Sequence, residues 1–172
     1  MGAAAVLLAL AAVFAAMALA STPVTVGSAS NATLKQKVLV NSNGRTLYAL
    51  TPETTRHLLC TSSECFKFWP PLTVASRNTK LKAASGVHGR LGILRRSNGM
   101  LQVTLNGLPL YRFAEDHASG EVNGQNFKGF GGIWHVLSNS GSPSSTLPSS
   151  SSAPATTSTP TTSTSSTPEY HY

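Results

Sequence analysis

The stretch LNGLPLYRFAED, from Leu105 to Asp116, repeats an earlier phrase, SNGRTLYALTPE, from Ser42 to Glu53. Both stretches place Leu-Tyr three residues after Asn-Gly and an acidic residue five positions after the tyrosine. Matching positions lie 63 residues apart, and further along the chain Trp69 and Trp134 lie 65 residues apart. We interpret the two phrases as copies of one structural unit, because neither copy is long enough to bury a face alone.

The local pattern around both phrases predicts β-hairpins. Asn-Gly between β-forming residues is typical of a tight hairpin turn, and it occurs at Asn43-Gly44, Asn98-Gly99 and Asn106-Gly107. Residues 89–113 therefore predict a three-stranded meander, with Pro109 at an edge or a strand start. No stretch between residues 35 and 138 shows helical periodicity. The sequence predicts an all-β fold, in which two pseudo-repeated antiparallel hairpin or meander units form one small core.

Both ends of the chain differ in composition from this region. Residues 1–20 are apolar and Ala-rich, which predicts a secretory signal peptide, with an N-terminal membrane anchor as the alternative. Residues 139–172 are rich in Ser, Thr and Pro, and they predict a disordered tail that could accept O-linked sugar.

The remaining residues define the folded domain and a short connection to it. We interpret residues 21–34 as a linker and residues 35–138 as a two-repeat β domain. Repeat one covers about residues 35–74, and repeat two covers about residues 89–138. A domain of this size can form one modest core.

The sequence contains two cysteines, Cys60 and Cys65. A close, even pair in an exported chain predicts a disulfide. Zinc is the alternative, but it needs two further ligands, and only His57 stands nearby.

These motifs resemble a family of secreted bacterial repeats of unknown function that carries a Tyr-x4-Asp motif. The resemblance is carried by LYRFAED at residues 110–116, by the cysteine pair leading into WPPLT at residues 69–73, and by NGQNFKGFGGIWHVL at residues 123–137. Members often occur on lipoproteins as tandem copies, so the resemblance implies a repeat architecture and a secreted or cell-envelope location. This chain departs from the pattern in having Glu53 as the acid of the first copy and no lipidation cysteine.

The motif also indicates where a ligand could bind. One hypothesis is a polar pocket shared by the two repeats, with Tyr48, Tyr111, Asp116 and His117 as ligand-binding residues and Glu53 beside them. The alternative is a scaffold role, in which Asp116 accepts backbone N–H bonds from the following loop and Tyr111 packs and offers its hydroxyl to it. The sequence offers no metal-ligand spacing, and we expect no metal and no cofactor.

Charge suggests a partner. The chain carries 13 Lys and Arg residues against 6 Asp and Glu residues, a net charge of +7. A stretch without acids predicts a basic surface formed by Arg77, Lys80, Lys82, Arg90, Arg95 and Arg96. This surface is either a solvated face or a contact for an anionic cell-wall polymer or membrane surface. No aromatic residues alternate with these charges, so nucleic acid is not expected.

No pattern points to catalysis. The cysteines are expected to be oxidised, which removes a thiolate nucleophile, and no Gly-x-Ser-x-Gly motif occurs. We therefore expect a monomeric, non-catalytic binding or structural module of the cell envelope or extracellular space. A small-ligand or metal-binding accessory protein that uses the Tyr-x4-Asp region is the alternative.

Overall fold

A computed structural model describes residues 23–145 and confirms the all-β class. The predicted signal peptide and residues 146–172 of the predicted tail lie outside the described residues. The strands are β1 (Val24–Asn31), β2 (Gln36–Val40), β3 (Tyr48–Thr51), β4 (Leu81–Ala83), β5 (Leu91–Arg95), β6 (Leu101–Leu105), β7 (Leu108–Pro109), β8 (Lys128–Gly129) and β9 (Gly132–Val136). One helix, α1, covers Ser63–Phe68. Between residues 23 and 145, no helix is long and apolar enough to cross a membrane.

The strands form three three-stranded sheets with the orders β2-β1-β4, β3-β9-β8 and β5-β6-β7. The third sheet is the predicted meander, and Pro109 lies in its edge strand, where a missing N–H costs no ladder bond. In the first sheet β1 pairs antiparallel with β2 and parallel with β4.

Both predicted limits of the folded domain are wrong. The predicted linker contains β1, in which Val26 is fully buried and the backbone pairs with two other strands. The predicted tail begins too early, since Ser144 is buried and its N–H donates to the carbonyl oxygen of Val136 at 2.8 Å. Both segments are rich in small polar residues and carry few apolar side chains, so much of their order comes from backbone pairing that composition does not show.

The apolar run of the repeated phrase is explained by two cores on opposite sides of the same strand. Tyr48 and Leu50 face an aromatic core, whereas Leu47 and Ala49 face an aliphatic core. Successive side chains of a strand point to opposite faces, so a strand that is buried on both faces needs consecutive apolar residues.

Two closed rings of backbone hydrogen bonds join the halves. In one ring, Leu47 donates to Leu39, Leu39 donates to Leu137, and Leu137 donates to Leu47, at 2.9, 2.8 and 3.0 Å. In the other ring, Leu110 donates to Val103, Val103 donates to Leu72, and Leu72 donates to Leu110, at 3.0, 2.7 and 2.9 Å.

Each hairpin is thus closed by the segment that follows the tryptophan of the other half, which is Trp134 for the first hairpin and Trp69 for the second. The residue that completes the ring of the first hairpin is Leu137, from repeat two, and the residue that completes the second ring is Leu72, from repeat one. These matched contacts support the interpretation of two repeats within one intertwined core.

The Asn-Gly turns differ in type. Asn106 and Gly107 both have positive φ, 52° and 80°, as a two-residue hairpin turn requires. At the first turn only Gly44 has positive φ, 74°, and Asn41 accepts and donates the closing bonds. The short helix α1 was not predicted, because six residues are too few to show a helical period.

Candidate functional site

The two copies of the repeated phrase meet through their tyrosines. The N–H of Tyr48 donates to the carbonyl oxygen of Tyr111 at 2.9 Å, and the N–H of Tyr111 donates to that of Tyr48 at 3.0 Å. The Tyr48 hydroxyl donates to Oδ2 of Asp116 at 2.6 Å, and the Tyr111 hydroxyl donates to Oε2 of Glu53 at 2.7 Å. Each tyrosine therefore binds the acid that belongs to the other copy.

Glu53 organises the chain around it. Its carboxylate is fully buried, and Oε1 accepts the N–H groups of Leu59 and Cys60 at 3.0 and 3.1 Å. Nη2 of Arg96 lies 3.7 Å from the same oxygen. Burial raises the pKa of Glu53, while Tyr111, the two amides and Arg96 oppose that rise. Both carboxylate oxygens are thus engaged within the protein.

Arg96 does not belong to the basic surface, so that part of the prediction is wrong. Its exposed fraction is 4%, and Nη1 donates to Oε1 of Gln102 at 2.5 Å and to the Tyr111 hydroxyl at 3.0 Å. Nη2 donates to the carbonyl oxygen of Cys60. A buried guanidinium needs such partners, and here they include the carboxylate of Glu53.

Asp116 has an environment that matches Glu53 in outline. Oδ1 accepts the N–H of Asn123 at 2.9 Å, and Asn123 lies 63 residues after Cys60, whose N–H binds Glu53. Burial raises the pKa of Asp116, whereas Tyr48 and Asn123 oppose the rise. Nη1 of Arg45 donates to the carbonyl oxygen of Asp116.

The phenols of Tyr48 and Tyr111 act as donors. Burial, together with the charge of Asp116 or Glu53, raises the pKa of both hydroxyls above the ordinary value. Both tyrosines are fully buried, so a ligand would have to displace an internal hydrogen bond to reach either hydroxyl. Ligand binding by these two residues stays a prediction.

The disulfide between Cys60 and Cys65 was predicted and is present. It closes the loop whose Cys60 amide binds Glu53 and whose Cys60 carbonyl accepts from Arg96. Helix α1 starts in this loop, where the hydroxyl of Ser62 accepts the N–H of Cys65 at 3.1 Å. The disulfide therefore restrains the segment that holds the Glu53 cluster.

The tryptophans of the two copies stack on each other at the centre of the aromatic core. Trp69 and Trp134 have ring centroids 3.8 Å apart and planes at 1°. Tyr48 contacts Trp69 edge-on at 5.3 Å, and Tyr111 contacts Trp134 edge-on at 5.0 Å. These paired contacts add support to the repeat interpretation.

Asp116 and His117 lie beside a surface cleft of about 360 Å³, whereas Tyr48 and Tyr111 are buried. The His117 side chain is 75% exposed, and its Nε2 lies 3.6 Å from Oε2 of Glu115. Within residues 23–145, no three His, Cys, Asp or Glu side chains are grouped to hold a metal.

Sequence reasoning missed two residues of this cleft, Arg45 and Arg112. Both stand inside the repeated phrases, directly after Gly44 and Tyr111. Strand alternation was the available signal, because Arg112 must point away from the face that Tyr111 buries.

The other predicted basic-surface residues are exposed: Arg77, Lys80, Lys82, Arg90 and Arg95. Lys80 and Lys82 flank Leu81, which packs against the aliphatic core, so the two lysines point outward. β4 lies next to β5, which is flanked by Arg90 and ends at Arg95. We call these five residues the basic surface.

Comparison with known proteins identifies one similarity. No curated protein and no solved structure matches the chain. A family model described as a secreted repeat of unknown function matches residues 92–138, the part that holds β6 to β9, Tyr111 and Asp116. This part of the chain is therefore similar to a secreted repeat, which supports an extracytoplasmic location.

Proposed function

We propose that the protein is a non-catalytic module of the bacterial cell envelope or extracellular space that binds an anionic polymer through its basic surface. The observation that carries the proposal is the separation of charge along the chain. The five residues of the basic surface are exposed, and no acidic residue occurs between Glu64 and Glu115. A concentration of exposed positive charge attracts polyanions from solution.

The distribution of acids strengthens this argument. Within residues 23–145 there are five acids, and two of them, Glu53 and Asp116, are buried and bonded inside the core. Their carboxylates are therefore bonded to groups inside the protein and are not presented on its surface. Of the other three acids, Glu64 and Glu115 are exposed and Glu121 is half-buried, and Glu115 and Glu121 both contact His117.

A non-catalytic role fits the state of the reactive groups. Glu53 and Asp116 each use both carboxylate oxygens in internal hydrogen bonds, and Cys60 and Cys65 are joined in a disulfide. General acid–base or thiolate chemistry needs such groups to be accessible to a substrate. We therefore propose a binding role rather than catalysis, without a metal or cofactor, and we expect the module to act as a monomer.

Retention on an immobilised anionic polymer tests the proposal. Teichoic acid and a polyuronate should retain the protein at low salt and release it as salt rises, because exposed charges are screened. Lys80→Gln/Lys82→Gln should elute at clearly lower salt than Arg56→Gln/Lys128→Gln, which removes two exposed charges elsewhere. Equal elution of both variants, or retention only by anionic lipid vesicles, would contradict the proposal.

A further inference from the structure

The cleft beside Asp116 is built by both halves of the protein. Asn43 and Arg45 come from the first hairpin, whereas Arg112, Phe113 and His117 come from the second copy. Its volume, about 360 Å³, falls in the range of sites for small ligands. None of its lining residues belongs to the basic surface.

Among the lining residues the two cations, Arg45 and Arg112, outnumber the one acid, Asp116, while the carboxylates of Glu115 and Glu121 lie at the His117 end of the cleft. Both carboxylate oxygens of Asp116 accept internal hydrogen bonds, from Tyr48 and from Asn123. Arg45 uses one N–H for the carbonyl oxygen of Asp116, and this contact fixes the guanidinium at the wall. A guanidinium has five N–H donors, so Arg45 retains others for a ligand.

Arg112 provides the strongest sign of a ligand. Its side chain is half-buried in the cleft wall, yet its guanidinium makes no hydrogen bond or ion pair with the residues that the structure describes. Its backbone is fixed, because the N–H donates to the carbonyl oxygen of Pro70 at 2.9 Å. A partly desolvated guanidinium gains most from an anion with two oxygens in one plane.

Phe113 adds a rigid apolar wall. The centroid of its ring lies 4.4 Å from the centroid of the Trp69 ring and 6.4 Å from that of the Tyr48 ring. The ring remains partly exposed in the cleft. Two guanidinium groups beside an apolar ring suit a ligand that has both an anionic group and an apolar face. A sugar ring that carries a carboxylate or phosphate has both features.

We propose that this cleft binds one anionic sugar unit, with its carboxylate or phosphate held by Arg112 and Arg45 and its ring against Phe113. The inference rests on the proposed function, because a sugar ring that carries a carboxylate is the repeating element of a polyuronate, one of the anionic polymers considered above. It assigns the recognition of the unit to the cleft and the attraction of the polymer chain to the basic surface.

Calorimetric titration of the full chain tests the proposal with four probes: glucuronate, glucose 6-phosphate, inorganic phosphate and glucose. We expect at least one of the two anionic sugars to bind more tightly than inorganic phosphate, and glucose not to bind. Which sugar binds distinguishes a carboxylate from a phosphate ligand.

Two variants separate the contribution of the Arg112 guanidinium from that of the Phe113 ring. Arg112→Gln should weaken binding of the anionic sugar by about tenfold or more, since it removes a charge-assisted contact. Arg56→Gln, which removes an exposed charge outside both the cleft and the basic surface, should leave the affinity within about twofold. Phe113→Leu should reduce the preference for the sugar over inorganic phosphate, and circular dichroism of each variant checks the fold.

Failure of this inference is distinguishable from failure of the proposed function. If no anionic sugar binds, or if Arg112→Gln and Arg56→Gln bind equally, the cleft is not the site. Polymer retention that depends on Lys80 and Lys82 would still support the proposed function in that case. Conversely, Arg112-dependent sugar binding without polymer retention would support the cleft and overturn the role of the basic surface.

Discussion

Tyr48 and Tyr111 exchange two backbone hydrogen bonds, at 2.9 and 3.0 Å, while their hydroxyls reach acids of opposite copies. This relationship joins residues that are 63 positions apart into one buried unit. Asp116 and Glu53 each also accept a backbone N–H from a further loop. Loss of either tyrosine hydroxyl should therefore destabilise both halves of the domain.

We expect Tyr111→Phe to lower the free energy of unfolding by about 1–3 kcal/mol, because it leaves a buried carboxylate oxygen of Glu53 without its donor. Tyr48→Phe should act in the same direction through Asp116. Urea unfolding measures both effects. Arg112, which follows Tyr111 on the outward side, offers a control, and Arg112→Gln should change stability by less than about 0.5 kcal/mol. A Tyr111→Phe protein as stable as this control would contradict the assigned hydrogen bond.

The neighbours Arg95 and Arg96 provide a second comparison. Arg95 is exposed, whereas Arg96 is buried beside Glu53. Arg96→Met should cost about 3 kcal/mol or more, because it leaves a buried carboxylate without its cation. Arg95→Met should cost less than about 0.5 kcal/mol. Chemical denaturation of the two variants gives the difference directly, and similar losses for both would show that Arg96 is not held in the core.

The contrast between Arg95 and Arg96 also shows why the sequence predicted the strands better than the site. Asn-Gly turns and apolar alternation are local signals, and they predicted the meander of β5, β6 and β7. Burial of one arginine and exposure of its neighbour depend on strand register and on a partner, Glu53, that is far away in the sequence.

The contacts between the two copies could not be predicted from local sequence patterns, because they too join residues that are far apart in the sequence. The scaffold reading of Asp116 was right in part, since it accepts the N–H of Asn123 from the following loop. The hydroxyl of Tyr111 was expected to contact that loop, but it binds Glu53 instead. Sequence spacing favours contacts around a turn, whereas closure of the core brings Tyr111 to the acid of the other copy.

Stability should respond to pH through Asp116. Burial raises its folded-state pKa above the ordinary 3.8, so the folded protein binds the proton more tightly than the unfolded chain does. The stabilising contribution is therefore present below pH 3.8 and is lost as pH rises through the folded-state pKa. Asp116→Asn removes this titration while keeping an oxygen that can accept from Tyr48 or Asn123.

Urea unfolding of the native protein and of Asp116→Asn at pH 7 and pH 4 measures the effect. Glu53, Glu121 and Arg45 are common to both proteins, so the difference between them reports the titration of Asp116 together with its coupling to Glu121. We expect the native protein to gain stability relative to Asp116→Asn as the pH falls. A constant difference, or a relative loss, would contradict the raised pKa.

The disulfide should stabilise the loop around Glu53. A closed loop of this length contributes about 2 kcal/mol in the chain-entropy model. Replacing both cysteines by alanine should cost at least that amount, because the amide and carbonyl of Cys60 also hold Glu53 and Arg96. Urea unfolding gives the cost, and thiol labelling of the unreduced protein should find no free cysteine. Labelling of both cysteines would show that the disulfide is absent.

Gly124 should be required for the stack of tryptophans. A Cβ atom at this position would lie 2.6 Å from Cη2 of Trp69 and 3.1 Å from the Phe113 ring, so Gly124→Ala must displace an indole packed against Trp134. We expect a loss of about 1–3 kcal/mol and an altered near-ultraviolet circular dichroism spectrum. Gly27→Ala is the matched control, because its Cβ would meet only Val40, at an ordinary 3.4 Å. If the two variants have equal stability and the native spectrum, the close approach of Gly124 to Trp69 does not determine the packing of the aromatic core.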